Sequence, residues 1–255
     1  MDTGTERLEG RVCILAALEA GRRAFEALLV SRTADKWKNA DVLAAAKRRG
    51  VEVRTVEEAE LGAQAQARSH GGLVAIVGPK PMTSAIDLYA IVERSKAAFV
   101  VLLEGADDVR NLGYVLRTAE AFGADAVLVR RRAWDVDSTA VSRSSSGAFE
   151  RLPVALVGRE LAEVKELKKR GLKLIGCIPR ARDAIYRTDF QVPILLAIGG
   201  EKRGLSGAVR LHCDRLAKIP TVGGATSLSM TQAAAIALAE VARQRAASKN
   251  PVQKS

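Results

Sequence analysis

Three segments of this 255-residue chain combine glycine with polar side chains in patterns that could do chemistry. In the first, Asn111, Gly113 and Arg117 lie among Leu112, Val115, Leu116, Ala119 and Phe122, whose spacing is helical. Gly113 and Arg117, four apart, then share the opposite face, so Arg117 is presented rather than buried. The second segment, residues 199–206, reads Gly-Gly-Glu-Lys-Arg-Gly-Leu-Ser. Paired glycines let a ligand approach the backbone, and Glu201 can accept from a hydroxyl or an ammonium group. The third, residues 219–229, is a glycine- and serine-rich loop running into a helix that Ser227 or Ser229 can cap, and its amides would face an anion or a carboxylate. Taken singly, each segment also has an ordinary structural reading: a solvated helix arginine, a strand-to-helix turn, and a capped helix start.

Several other chemistries are excluded. Lys202 precedes Gly204, so residues 199–206 are no Walker loop, and no GxGxxG occurs. Cys13, Cys177 and Cys213 are far apart and only His70 and His212 could join them, so no metal site is expected. The adjacent His212 and Cys213 make a poor nucleophile–base pair, because neighbours in sequence diverge in a helix or a strand.

The elements that must position these residues follow a βαβ rhythm from about Ser84. Helix 84–96 precedes strand AFVVLLE, helix 111–122 and strand AVLVR, and a last helix starts near Ser229. The unbroken apolar strands AFVVLLE, LKLIGCI and PILLAIGG read as buried on both faces, as in a parallel sheet covered by helices. Such sheets bind ligands at the carboxyl ends of their strands, and all three segments follow directly after a strand. Residues 10–77 form a smaller α/β module with strand-like ALLVS, VEVRTV and GLVAIV and a helix between the first two, started by Asp41 and ended by Gly50. Gly78-Pro79-Lys80-Pro81 suits a semi-rigid linker. The expected organisation is an N-terminal domain over residues 1–77, a linker over 78–84 and a catalytic domain over 85–255, with residues 249–255 as a polar tail.

Hydrophobic residues make up 48% of the chain and charged residues 27%, without the roughly 20 continuous apolar residues of a membrane helix. The N-terminus lacks the order of a secretory or transit signal, so a cytoplasmic location is expected. Lys and Arg number 40 against 29 Asp and Glu, a net charge of +11 that suggests a polyanionic partner. Lys47-Arg48-Arg49, Arg130-Arg131-Arg132 and Lys168-Lys169-Arg170 are clusters that could contact phosphates. Aromatic residues are only 4%, which argues against an extensive base-stacking platform.

In order and spacing, the three segments resemble the three motifs of the SpoU (TrmH-like) family of RNA ribose 2′-O-methyltransferases, in the SPOUT superfamily. Asn111 to Gly123, Gly199 to Ser206, and Ile219 to Leu228 carry the likeness, and residues 69–77 and 144–154 add to it. The resemblance implies a trefoil-knotted α/β catalytic domain preceded by a small ribosomal-protein-like RNA-binding domain. It also implies S-adenosyl-L-methionine as cofactor, a homodimer, and RNA as substrate, ribosomal more than transfer. By the same carry-over Gly176, Cys177, Ile178, Gly199, Gly200, Gly204, Leu205, Ile219 and Leu228 line the cofactor pocket. Asn111, Arg117, Glu201, Ser227 and Ser229 match catalytic positions. Thr221 and Ser229 depart from the methionine and asparagine usual in the family, and serine lacks the amide's two-ended reach. A guanidinium stays charged, so Arg117 is read as binding a phosphate and stabilising a developing alkoxide rather than as a base. The rival readings are a non-catalytic RNA-binding protein that keeps the fold, a methyltransferase of transfer RNA, and an α/β enzyme acting on an acidic small molecule.

Overall fold

The computed structural model describes residues 4–35, 37–66, 70–106, 108–130, 136–223 and 227–249. Ser69, Arg131, Arg132 and the tail from 250 onward lie outside the described residues, as do 224–226 of the third segment. The chain forms two compact units: Met1–Pro81 with Asp137–Arg151, and Met82–Val136 with Leu152–Ser255. The layout thus differs from a single cut at residues 78–84, because residues 137–151 belong to the first unit.

In the first unit, strands β1 (Glu6–Glu9), β2 (Phe25–Ser31), β3 (Val53–Val56) and β4 (Leu73–Val77) form a sheet in the order β1-β4-β2-β3, with only the β2–β3 pair parallel. Period-two alternation sends Leu28, Val30, Leu73, Ala75 and Val77 to one face, against helices α1 (Arg11–Ala20) and α2 (Ala40–Arg48). Ala27, Leu29 and Val74 go to the other, against Leu61 of α3 (Glu58–Gln64). Asp41 does not cap α2 as expected: Asn39 holds the cap position, and Asp41 sits inside the first turn paired with Arg11. Two short helices, α6 (Ser138–Ser144) and α7 (Ala148–Arg151), belong to this unit, packing on β1 and α1 and pairing with it by charge. The fully buried Arg23 donates from Nε and Nη2 to both oxygens of Glu150, at 2.7 and 3.0 Å, and from Nη1 to the Gly78 carbonyl at 2.9 Å. A bidentate pair of this kind offsets the desolvation of both charges through geometry and extra hydrogen bonds. Lys80 is also buried, its ammonium 4.2 Å from the Phe149 ring centre, and burial pushes its pKa down to about 7.

The second unit holds helices α4 (Ala85–Glu93), α5 (Val109–Ala121), α8 (Ala162–Lys169), α9 (Gly207–His212) and α10 (Met230–Lys249). Its strands are β5 (Phe99–Glu104), β6 (Ala126–Arg130), β7 (Val154–Val157), β8 (Lys173–Cys177), β9 (Asp183–Ala184), β10 (Ile194–Gly199) and β11 (Arg215–Lys218). All seven pair in parallel, in the order β7-β6-β5-β10-β8-β11-β9. Every residue of β5 is buried, as its unbroken apolar run requires of a strand covered on both faces. One face packs against Leu88, Val164, Leu167 and Val209 from α4, α8 and α9, while α5 and α10 pack on each other elsewhere in the unit. The late strand β10 is inserted between β5 and β8, so the order of connection reverses there. Crevices at such points, beyond the carboxyl ends of the strands, are where open α/β sheets bind ligands.

Candidate active site

A cavity of about 210 Å3 lies beyond the carboxyl ends of β8, β10 and β11. Its wall is built by Cys177, Ile178 and Pro179 at the end of β8, by Ile198, Gly199, Gly200, Glu201 and Gly204 at the end of β10, and by Ile219 and Thr221 after β11. Ser227, Leu228, Met230 and Ala233, leading into α10, complete it.

Glycine is required in the middle of this wall. The loop leaving β10 folds back on itself, with the Gly204 amide donating to the Gly200 carbonyl at 2.9 Å. A Cβ on Gly199 would lie 2.2 Å from the Gly204 carbonyl carbon, and one on Gly200 would lie 2.3 Å from the Gly105 oxygen. Both contacts are with backbone and cannot be relieved by turning a side chain. The result is a tightly folded glycine backbone that forms part of the cavity wall.

Of the polar side chains, Glu201 lines the cavity, Asn111 reaches it through Glu201, and Arg117 is not part of the wall. Asp108 caps α5, its Oδ1 accepting from the amides of Arg110 and Asn111, each at 2.9 Å. That fixes Asn111 in the first turn, from which Nδ2 reaches Oε1 of Glu201 over a long 3.4 Å. Arg117 is exposed two turns further along α5, and the described residues give it no ion pair. Gly113, expected on the same exposed face, is buried instead. A residue without a side chain leaves no mark in an apolar pattern, so its burial was not legible.

In the third segment Ser229, and not Ser227, starts the helix. Its Oγ accepts from the Gln232 amide at 3.3 Å while Oε1 of Gln232 accepts from the Ser229 amide at 3.2 Å, a reciprocal capping box. Ser227 is exposed and lines the cavity.

Of the expected pocket residues, Cys177, Ile178, Gly199, Gly200, Gly204, Ile219 and Leu228 line the cavity. Gly176 and Leu205 do not. Gly176 is buried in β8, where a Cβ would meet Cys213 Sγ and Leu216 Cδ2, each at 2.8 Å, and Leu205 turns its side chain into the core. Ser229 also lies outside the wall, where its hydroxyl supports α10. Sequence reasoning missed Pro179, Ile198, Met230 and Ala233. Met230 and Ala233, three apart at the start of α10, share one face and could have been inferred from the loop that precedes them. Burial pushes the Cys177 and Cys213 thiols each up to about 11, and Cys213 Sγ contacts the Val209 carbonyl at 3.4 Å. Neither thiol is therefore an ionised nucleophile near neutral pH.

Comparison with known proteins agrees with this geometry. Residues 98–239 match the family model described as the SpoU rRNA Methylase family, and residues 7–83 match that described as RNA 2′-O ribose methyltransferase substrate binding. The chain is 30% identical over 241 residues to the 23S rRNA (guanosine-2′-O-)-methyltransferase RlmB of Pseudomonas putida, covering 94% of this chain and 97% of that one. It is 35% identical over 202 residues to the protein of the same name from Xanthomonas campestris, covering 78% and 81%. Among solved structures it is similar to the SpoU methyltransferase AviRb of Streptomyces viridochromogenes in complex with AdoMet. That likeness has a TM-score of 0.79 and 28% identity, and covers 95% of this chain and 91% of that one. With its strand-end cavity, its glycine wall and a family match over more than half its length, the chain belongs to the SpoU rRNA methylase family.

Proposed function

We propose that this protein transfers the methyl group of S-adenosyl-L-methionine to a ribose 2′-hydroxyl of RNA, ribosomal RNA being the favoured class. The observation that carries this reading is the cavity itself, where the glycine wall of residues 199–204 faces the loop into α10 and Glu201, bonded to Asn111, lines the same space. The residues present fit the cofactor. Ile178, Ile198, Ile219, Leu228 and Met230 offer apolar surface for a purine, and the backbone of Gly199, Gly200 and Gly204 lines the same cavity without side chains of its own. The bound cofactor supplies an electrophilic methyl carbon.

The chain's own contribution is alignment, exclusion of water and charge. Alignment and desolvation dominate an in-line displacement. Glu201, with Oε1 engaged by Asn111, has Oε2 left to accept from the ribose hydroxyl and to take up its proton as the methyl group is transferred. Arg117 binds the adjacent phosphate and stabilises the alkoxide as it forms. The protonated thiol of Cys177 does not compete as a nucleophile for the methyl group.

The residues 7–83 region grips the RNA outside the catalytic unit, with Lys47 and Arg48 exposed on α2. Lys168 and Arg170 are instead engaged by Asp214, Glu93 and Glu166 and are poor phosphate ligands. The same reading makes the protein cytoplasmic and a homodimer with a trefoil-knotted catalytic unit; the insertion of β10 between β5 and β8 supports the knot. The test is transfer of tritiated methyl groups to bulk RNA from a strain lacking this protein, followed by nucleoside mapping. Label in a 2′-O-methyl nucleoside is expected; label only on a base, or none, overturns the assignment.

A further inference from the structure

We propose that Glu104 is a positioning residue for the cofactor wall, its buried carboxylate holding residues 199–206 in the conformation that shapes the cavity; this rests on the cofactor reading above. Glu104 ends β5 and pairs in register with Gly199 at the end of β10, so one strand finishes beside the point where the other opens into the loop. The backbone of Gly105, turned with φ +80°, then passes directly over Gly200. Glu104, only 9% exposed, reaches to the far end of the loop, where Oε2 accepts from the Ser206 amide at 2.7 Å.

That bond is not redundant. Ser206 is the cap residue of α9 and its Oγ accepts from the Val209 amide, so the serine's own N–H needs an outside acceptor. The loop is therefore closed by strand pairing at Gly199, by the Gly204-to-Gly200 bond in its middle, and by Glu104 at Ser206. The buried charge is compensated by Arg130, whose Nε lies 3.5 Å from Oε1 and whose Nη1 donates to the Gly158 carbonyl at 2.6 Å. Glu104 is absent from the cavity wall. It acts on the cofactor through Gly200, Glu201 and Gly204. A charge-assisted bond of this length is among the stronger kinds, which suits it to fixing a glycine-rich segment that has little rigidity of its own.

The test compares the full-length wild type with Glu104→Ala and Glu104→Gln, using S-adenosylhomocysteine binding by calorimetry, hydrogen exchange at the Ser206 amide, and thermal melting. Glu104→Ala is expected to weaken binding about ten- to a hundredfold and to speed Ser206 exchange. Glu104→Gln keeps an oxygen acceptor and is expected to restore affinity to within about threefold, together with Ser206 protection. A purely structural role would lower the melting temperature without changing the affinity of the folded fraction. Wild-type affinity in Glu104→Ala, or a Glu104→Gln protein as weak as the alanine variant, overturns the proposal while leaving the cofactor reading intact. A wild-type protein that binds no S-adenosylhomocysteine removes both.

Discussion

Nδ2 of Asn111 lies 3.4 Å from Oε1 of Glu201, which ties the first turn of α5 to the glycine loop after β10 across 90 residues of sequence. The bond is long, as hydrogen bonds between catalytic groups commonly are before substrate arrives. Glu201→Ala and Asn111→Ala are expected to lower single-turnover methyl transfer about 10- to 1,000-fold while changing S-adenosylhomocysteine affinity little, because both groups serve the acceptor. Arg117→Lys should fall similarly, since a point charge cannot replace a fork on phosphate. Near-full transfer in all three variants would remove these side chains from the mechanism.

Ser229 stands where the family usually has asparagine, and its reciprocal bonds with Gln232 give the substitution a physical account. Serine and asparagine are comparable caps and alanine is a poor one. Ser229→Ala is expected to cost about 1 kcal/mol of stability, read by chemical denaturation. Ser229→Asn should stay within a few tenths of a kcal/mol of wild type. A destabilisation by asparagine as large as that by alanine would show that the cap is not what the position requires.

Gly199→Ala tests the wall directly. The added carbon would sit 2.2 Å from the Gly204 carbonyl carbon and 2.4 Å from the Leu205 amide nitrogen, so the loop must move. Cofactor affinity is expected to drop more than about tenfold, with a stability loss of about 1–3 kcal/mol. Gly207→Ala, with nothing near its Cβ, is the control and should bind normally. Equal affinities in the two variants would mean that the loop opens freely.

Lys80 makes stability depend on pH. Its folded pKa is lowered to about 7 from an ordinary 10.5, so between those values the unfolded chain binds more protons than the folded one, and stability rises with pH across that window. The desolvation penalty is close to full at pH 7 and fades toward pH 10. Lys80→Met is therefore expected to raise stability at pH 7 by about 1–3 kcal/mol, with the gain shrinking as pH rises. Urea titrations at pH 7, 8.5 and 10 check this, and a gain that did not shrink would show that lysine ionisation is not its cause.

Much of the catalytic unit was legible in the chain because its signals are local. The apolar runs of β5 and β10 announced a doubly covered parallel sheet, and glycine beside glycine after β10 announced a close approach of backbone. The order of the three segments identified the family. Local pattern does not record which distant elements meet. Glu150 and Arg23, 127 residues apart, are buried against each other, and that pairing places residues 137–151 in the first unit rather than in the second. Gly176 and Leu205 looked like pocket residues from their place beside the motifs. Only the packing of β8 against Cys213 and Leu216 decided that they face the core. The sequence by itself determined the types of element and the chemistry available at their ends, because periodicity and glycine act over a few residues. Tertiary structure alone decided which of those ends converge, because burial and charge pairing depend on neighbours brought together from far along the chain.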